Sequence, residues 1–280
     1  MAKVVGAFGV PHMPGSPGGA AKEPQSETAR LFAAVREHVD AVDPDVLVVF
    51  DTDHFATWFY DKMPTFAIGV AEMTSGPGTD EWPGGVQYDE IPAHEGLGRY
   101  LHRRGIESEF DLLLTQEFTV DHSISVPLHF LNADHTAHAM KRPMVPVWVN
   151  GIAPPLPLAK RVYALGQMVR RAVDEWGERV TVGAIASGAI SGDIGGPRAV
   201  GGPGAPPDVE WVTSVVRRME KGETDELLNE ATEARILAAG NVSGEMLNWI
   251  ALLGFVGGQK PRFIEPQTSG GNAYGAWRWD

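Results

Sequence analysis

The sequence predicts an α/β fold, a single-domain sandwich with a largely buried central sheet flanked by helices. Three observations carry that prediction. Short β-rich apolar runs recur at Val4–Val10, Val46–Phe50, Phe66–Ala71, Met144–Val149 and Val180–Ala186; several are nearly continuous, as strands covered on both faces are. Segments of helical periodicity alternate with them, the pattern that builds a sheet between layers of helices. No internal repeat or linker interrupts the 280 residues, so 1–280 reads as one domain with a substantial core.

The helices follow from spacing. Leu31, Val35, His38 and Val42 fall on one face of the stretch 26–42. Leu158, Val162, Leu165, Val169, Val173 and Trp176 repeat at steps of three and four, the clearest helical stripe in the chain. Near the C-terminus, Ser243–Ile250 reads as an amphipathic helix with Glu245 at its entrance and Leu247, Ile250, Ala251 and Gly254 toward the core. Gly76–Gly85, rich in Gly and Pro, reads as a loop. Ser187–Pro207 carries seven glycines and four prolines, which prevents a helix or central strand over most of its length. That loop has neither of the glycine patterns that cradle nucleotide phosphates, so it is expected at a pocket mouth instead.

Composition excludes several classes. Hydrophobic residues make up 43% and charged residues 21%, an ordinary globular balance. The formal charge of −13 argues against a nucleic-acid partner, which needs a basic surface. No apolar run is long enough to span a membrane. The chain has no cysteine, hence no disulfide, thiolate nucleophile or Cys-ligated zinc. With no secretory leader evident, the expected compartment is the cytoplasm.

Chemistry-bearing residues sit where regular elements should end. His12 follows the first apolar run, between Pro11 and Pro14. His54 follows the second in Asp51-Thr-Asp-His, where an Asp can orient the imidazole; ligands in open α/β sheets gather beyond strand C-termini. Glu245 opens the late helix. Two imidazoles and a carboxylate on one face of a divalent ion leave positions open for substrate and O2. Each residue alone has an ordinary reading: His12 as a turn residue, Asp51 to His54 as a strand-end turn satisfying backbone groups, and Glu245 as a carboxylate favouring a helix N-terminus. His135 and His138 are three apart with no third ligand beside them, and read as a solvated helix end or loop. His94 and His102 read the same way, while Trp249, Trp277 and Trp279 read as packing or interface groups.

Taken together, the markers are more specific. They are Pro11-His12, Pro44-Asp45-Val46-Leu47-Val48-Val49 leading to Asp53-His54, Pro64-Thr65-Phe66-Ala67-Ile68-Gly69, Val120-Asp121-His122 with Val126-Pro127-Leu128, Pro146-Val147-Trp148-Val149-Asn150, Ala164-Leu165-Gly166-Gln167 and Gly244-Glu245-Met246-Leu247-Asn248-Trp249. Through most of its length the chain resembles the class III extradiol dioxygenases, of the protocatechuate 4,5-dioxygenase β-subunit type. The resemblance implies Fe(II) held by His12, His54 and Glu245. It implies His122 as a catalytic residue near substrate and O2, and cleavage of a catechol-like or polyhydroxylated ring beside its hydroxyls. It also implies a homo-oligomer, or assembly with a small α-type subunit.

One departure stands out. The family's second catalytic histidine, in a Gly-Gly-Leu/Met-Ser-His segment, corresponds to Gly192 in Ser187-Gly-Ala-Ile-Ser-Gly192. No later histidine replaces it, because the last in the chain is His138. The substrate's own acidity, or Asp193, Tyr60 or His129, is then left to manage the proton. The same gap admits two alternatives: a metal-dependent hydrolase or lyase on this scaffold, and a noncatalytic subunit of a hetero-oligomeric dioxygenase.

Overall fold

The computed structural model describes residues 1–77, 85–194, 204–268 and 270–279. In chain order the elements begin β1 (Lys3–Val10), α1 (Ser16–Lys22), α2 (Glu27–Val42), β2 (Val46–Asp51), β3 (Phe66–Gly69), β4 (Met73–Gly76) and β5 (Tyr88–Pro92). They continue with α3 (Glu95–Glu107), β6 (Leu113–Thr115), α4 (His122–Leu131), β7 (Ala133–Asp134), β8 (Ala139–Met140) and β9 (Met144–Val149). Then come α5 (Ala159–Glu175), β10 (Thr181–Ser187), α6 (Val209–Lys221), α7 (Thr224–Glu230) and α8 (Glu233–Ala238). A 3-10 turn at Ser243–Glu245 leads into α9 (Met246–Val256), and β11 (Phe263–Pro266) and β12 (Ala273–Arg278) close the chain.

Eight strands form one mixed sheet in the order β11-β12-β1-β10-β2-β9-β3-β6. The centre, β1-β10-β2-β9, is parallel, while β12 runs antiparallel to β1 and β3 antiparallel to β9. All five apolar runs are strands. They are continuous because alternate residues feed two cores: Val46, Val48 and Phe50 of β2 pack on the side of α5 and α9, Leu47 and Val49 on the side of α2 and α4. The α/β sandwich expected from the sequence is the observed architecture. Among the described residues no helix is long and apolar enough to cross a membrane.

Some local readings change. The buried stripe of α2 is Leu31, Phe32, Val35 and Val39, with His38 and Val42 only partly covered. Leu158 lies outside the α5 stripe, 74% exposed at the helix N-cap. The late helix is not amphipathic: every residue of α9 is buried, because it lies between the sheet and α5. The two helices cross closely, since a Cβ on Gly166 would fall 1.8 Å from the Ala251 carbonyl oxygen and one on Gly254 2.0 Å from that of Tyr163. His135 and His138 occupy the turn between β7 and β8, not a helix. Of the two loops, 78–84 and 195–203 lie outside the described residues; Gly76 ends β4, and Ser187 ends β10.

Candidate metal centre

Parallel neighbours present their C-termini at one edge of the sheet, and the candidate residues collect there. His12 stands two residues beyond β1, His54 three beyond β2, and Ser187 ends β10 between them. Glu245 arrives from the turn before α9, and His122 is the first residue of α4. The structure therefore brings together all four residues singled out from the sequence. Glu245 Oε2 lies 3.3 Å from His12 Nε2, and Glu245 Oε1 lies 3.0 Å from His54 Nε2. The ring of His122 is 4.6 Å from that of His54 and 5.5 Å from that of His12. One nitrogen from each of the three histidines falls within 4.8 Å of the others.

Hydrogen bonds fix how the rings point. The Ser187 hydroxyl donates to the Ser123 carbonyl, so its oxygen is left to accept from His12 Nδ1, 2.8 Å away. That places the proton of neutral His12 on Nδ1 and the lone pair on Nε2, toward Glu245. His54 is held more loosely: Asp121 Oδ2 accepts its backbone N–H at 2.7 Å and lies 3.4 Å from its Nδ1, within ion-pair reach but not hydrogen-bonded to it. Both imidazoles thus turn Nε2 toward one carboxylate, each backed by a polar partner, as metal-ligating histidines usually are.

The turn carrying Glu245 is clamped from below. Asn248 donates to the Ser187 carbonyl at 2.7 Å and to Thr52 Oγ1 at 3.2 Å, tying α9 to the ends of β10 and β2. The indole of Trp249 donates to the Gly188 carbonyl at 2.9 Å, and Ala189 N–H donates to Glu245 Oε2 at 2.8 Å. Gly188 has φ +154°, and a Cβ there would come 2.6 Å from that of Glu245. Only glycine lets the strand end pass so close.

Charge is concentrated in little solvent. His12 is 5% exposed and Glu245 3%; His54 and His122 are half-buried, so the cluster meets solvent on their side. Burial alone would raise the Glu245 carboxyl, but the facing imidazoles of His12 and His54, when they carry the extra proton, outweigh it and hold it well below the carboxylate range. Burial lowers His12 despite the pull of Glu245. For His54 the burial effect is overcome by Asp121 and Glu245, which together push it well above an ordinary imidazole.

The donor set fits a divalent cation. Adjacent ligand atoms at about 2.1 Å from an octahedral ion are about 3.0 Å apart, and each Glu245 oxygen meets one imidazole near that spacing, Oε1 with His54 Nε2 at 3.0 Å and Oε2 with His12 Nε2 at 3.3 Å. Among the described residues, the combination whose ligand atoms all lie within 4.8 Å of one another is His12, His54 and His122. Glu245 stands beside that group, meeting His12 and His54 through different oxygens, and supplies the negative charge that a 2+ ion needs at a buried site.

Other sequence candidates stand elsewhere. His129 lies seven residues along α4 from His122, about 10 Å at the helical rise. Its Nδ1 shares a hydrogen bond with the Tyr88 hydroxyl at 2.8 Å, and its ring packs against His135. Tyr60 packs with Phe55 and Phe59 on the loop leaving His54. Gly192 brings no side chain, and its N–H donates to Ser243 Oγ at 3.1 Å. Sequence reasoning missed Ser187, Ser123 and Asn248, whose roles depend on contacts across at least 61 positions. Ser187 alone leaves a sequence signal, a polar residue at the end of a buried apolar run.

Fold and donor cluster together define an α/β protein with a set of side chains at the strand ends that could hold a metal ion. The chain matches, over residues 6–276, the family described as the catalytic LigB subunit of aromatic ring-opening dioxygenase, and belongs to that family. It is 31% identical over 219 residues to a Cupriavidus necator protein named 2,3-dihydroxyphenylpropionate/2,3-dihydroxicinnamic acid 1,2-dioxygenase, covering 78% of this chain and 63% of that one. A Mycolicibacterium vanbaalenii protein of the same name is 36% identical over 176 residues, covering 62% and 52%. A Paraburkholderia phymatum namesake is 26% identical over 282 residues, covering 86% and 84%. The matched part is thus under two thirds of the length of the first two relatives. The crystal structure of an uncharacterized Escherichia coli K12 protein aligns over 97% of this chain and 98% of its own, with a TM-score of 0.55 and 17% identity, which shows a shared fold.

Proposed function

We propose that this chain is an extradiol-type dioxygenase that opens a catechol-like or polyhydroxylated aromatic ring, with Fe(II) held by His12, His54 and Glu245. The single observation that carries the reading is the Glu245 carboxylate set between two imidazole Nε2 atoms at 3.3 and 3.0 Å. Membership of the ring-opening family and the names of the relatives support it. When bound, the iron supplies coordination positions of Lewis-acid and redox character for the substrates.

The chain's own residues do the rest. His12 and His54 offer Nε2 lone pairs whose direction Ser187 and Asp121 set. Glu245 balances part of the metal charge. His122, half-buried beside His54, is placed to take or return the proton of a ring hydroxyl. Gly192 offers no second acid or base, so the reading favours substrates with acidic hydroxyls. The rings of Phe55, Phe59 and Tyr60, centred 4.6 to 5.2 Å apart, form an aromatic edge next to His54 suited to a flat substrate.

The test is oxygen uptake by protein purified anaerobically and loaded with Fe(II), over a panel of catechols, gallates and aminophenols. Uptake with loss of the aromatic absorbance is expected for at least one. Bound iron with no uptake from any of them overturns the reading. Turnover under argon with Zn(II) would indicate a hydrolase or lyase, and failure to bind stoichiometric metal a noncatalytic subunit.

A further inference from the structure

The Ser123 hydroxyl sits between two buried carboxyl groups. Its oxygen is 2.7 Å from Asp51 Oδ2 and in short contact with Asp121 Oδ1. A hydroxyl has one proton to give, and an ionised carboxylate can only accept. Were both acids ionised, one would face the Ser123 lone pairs with nothing between them. One of the two must carry a proton.

The surroundings decide which. Asp121 Oδ2 accepts the His54 backbone N–H at 2.7 Å, and Oδ1 accepts the Ser123 backbone N–H at 2.8 Å. It also faces the His54 ring at 3.4 Å, and these contacts suit an anion. Asp51 has no comparable set. It is fully buried, and its Oδ1 has no hydrogen-bond partner among the described residues. An ion there would forfeit its hydration for one shared hydroxyl, the Thr52 backbone N–H and the more distant His54, which costs far more than burying the neutral acid. Burial first, and then the charge of Asp121, hold the Asp51 carboxyl well above the usual range.

We propose that Asp51 is a buried carboxylic acid whose proton is donated to Ser123 Oγ, freeing the Ser123 hydroxyl to donate to Asp121. The order of donation is Asp51 to Ser123 to Asp121, and the Asp121 end of the chain abuts the His54 ring. Asp51 is a positioning residue: it touches neither metal nor substrate, and acts on His54 through two intervening side chains. Its effect on metal affinity rests on the assignment of His54 as a ligand; its protonation does not.

Infrared spectroscopy of the metal-free full chain with carboxyl-labelled aspartate, near neutral pH where exposed carboxyls are ionised, reads the proton directly. The expected result is a protonated-acid carbonyl band that shifts with the label and weakens in Asp51→Asn. No such band in the wild-type protein, or equal intensity in a folded Asp51→Asn, overturns the proposal. A second arm measures Fe(II) affinity. Asparagine can still donate to Ser123, so Asp51→Asn should bind within about threefold of wild type, whereas Asp51→Ala should bind about 10- to 100-fold more weakly. Equal losses in the two variants would contradict it. If wild type itself binds no iron, the metal reading fails, and the labelled wild-type spectrum still decides the proton.

Discussion

Asp121 holds His54 at two points, accepting its backbone N–H at 2.7 Å and lying 3.4 Å from its ring Nδ1 with the same oxygen. One carboxylate therefore sets both the path of the loop after β2 and the tilt of the imidazole. Removing it frees both. Asp121→Ala is expected to weaken Fe(II) binding about 10- to 100-fold, the usual effect of losing such a partner. Anaerobic titration with a competing chelator measures it, and unchanged affinity would deny Asp121 this role.

His122 differs from its neighbours in what its loss should do. As a proton-handling group it leaves the ion in place, so His122→Ala is expected to retain stoichiometric iron while turnover falls about 10²- to 10⁴-fold. Loss of the iron itself would make His122 a ligand, the role compatible with its closeness to His12 and His54.

The crossing of α5 and α9 depends on absent side chains. Gly166→Ala drives a Cβ into the Ala251 carbonyl, a backbone atom that cannot step aside. The helices must part, at about 1–3 kcal/mol less the ~1 kcal/mol that alanine gains in helix propensity. A lower denaturation midpoint is expected, with Gly254→Ala behaving alike; a midpoint at or above wild type would show that the helices accommodate the methyl.

Acid stability should bear the mark of His129. Burial, and then the neighbouring His135 and His138, lower its imidazole to about 4. The unfolded chain takes up this proton near pH 6.5 and the folded chain only near 4, so stability is full above 6.5 and declines as pH falls toward 4. With part of the ring exposed, the loss is about 2 kcal/mol. Comparing denaturant midpoints of wild type and His129→Gln across that range isolates the contribution, and parallel curves would remove it.

How much of this was legible in the sequence depends on where each property is decided. Strands β1, β2 and β9 were readable because burial on both faces leaves a local trace, an unbroken apolar run. The face of α9 was not: Glu245 and the residues behind it fit an amphipathic spacing, but burial on all sides comes from α5 and the sheet. The buried stripe of α2 slipped from Val42 to Val39 for a related reason, since apolar residues at both positions satisfy a helical period. His12, His54, His122 and Glu245 were identified through a resemblance and not by spacing. What aims them was out of reach, because His12 meets Ser187 across 175 positions and His54 meets Asp121 across 67.

The central claim is that Glu245 completes an iron site with His12 and His54. The most direct measurement is a crystal of the anaerobically iron-loaded protein with data at the iron absorption edge. One anomalous peak within bonding distance of His12 Nε2, His54 Nε2 and a Glu245 carboxylate oxygen is the expected result. A peak bound by the three histidines with Glu245 turned away, or one elsewhere in the chain, would contradict it.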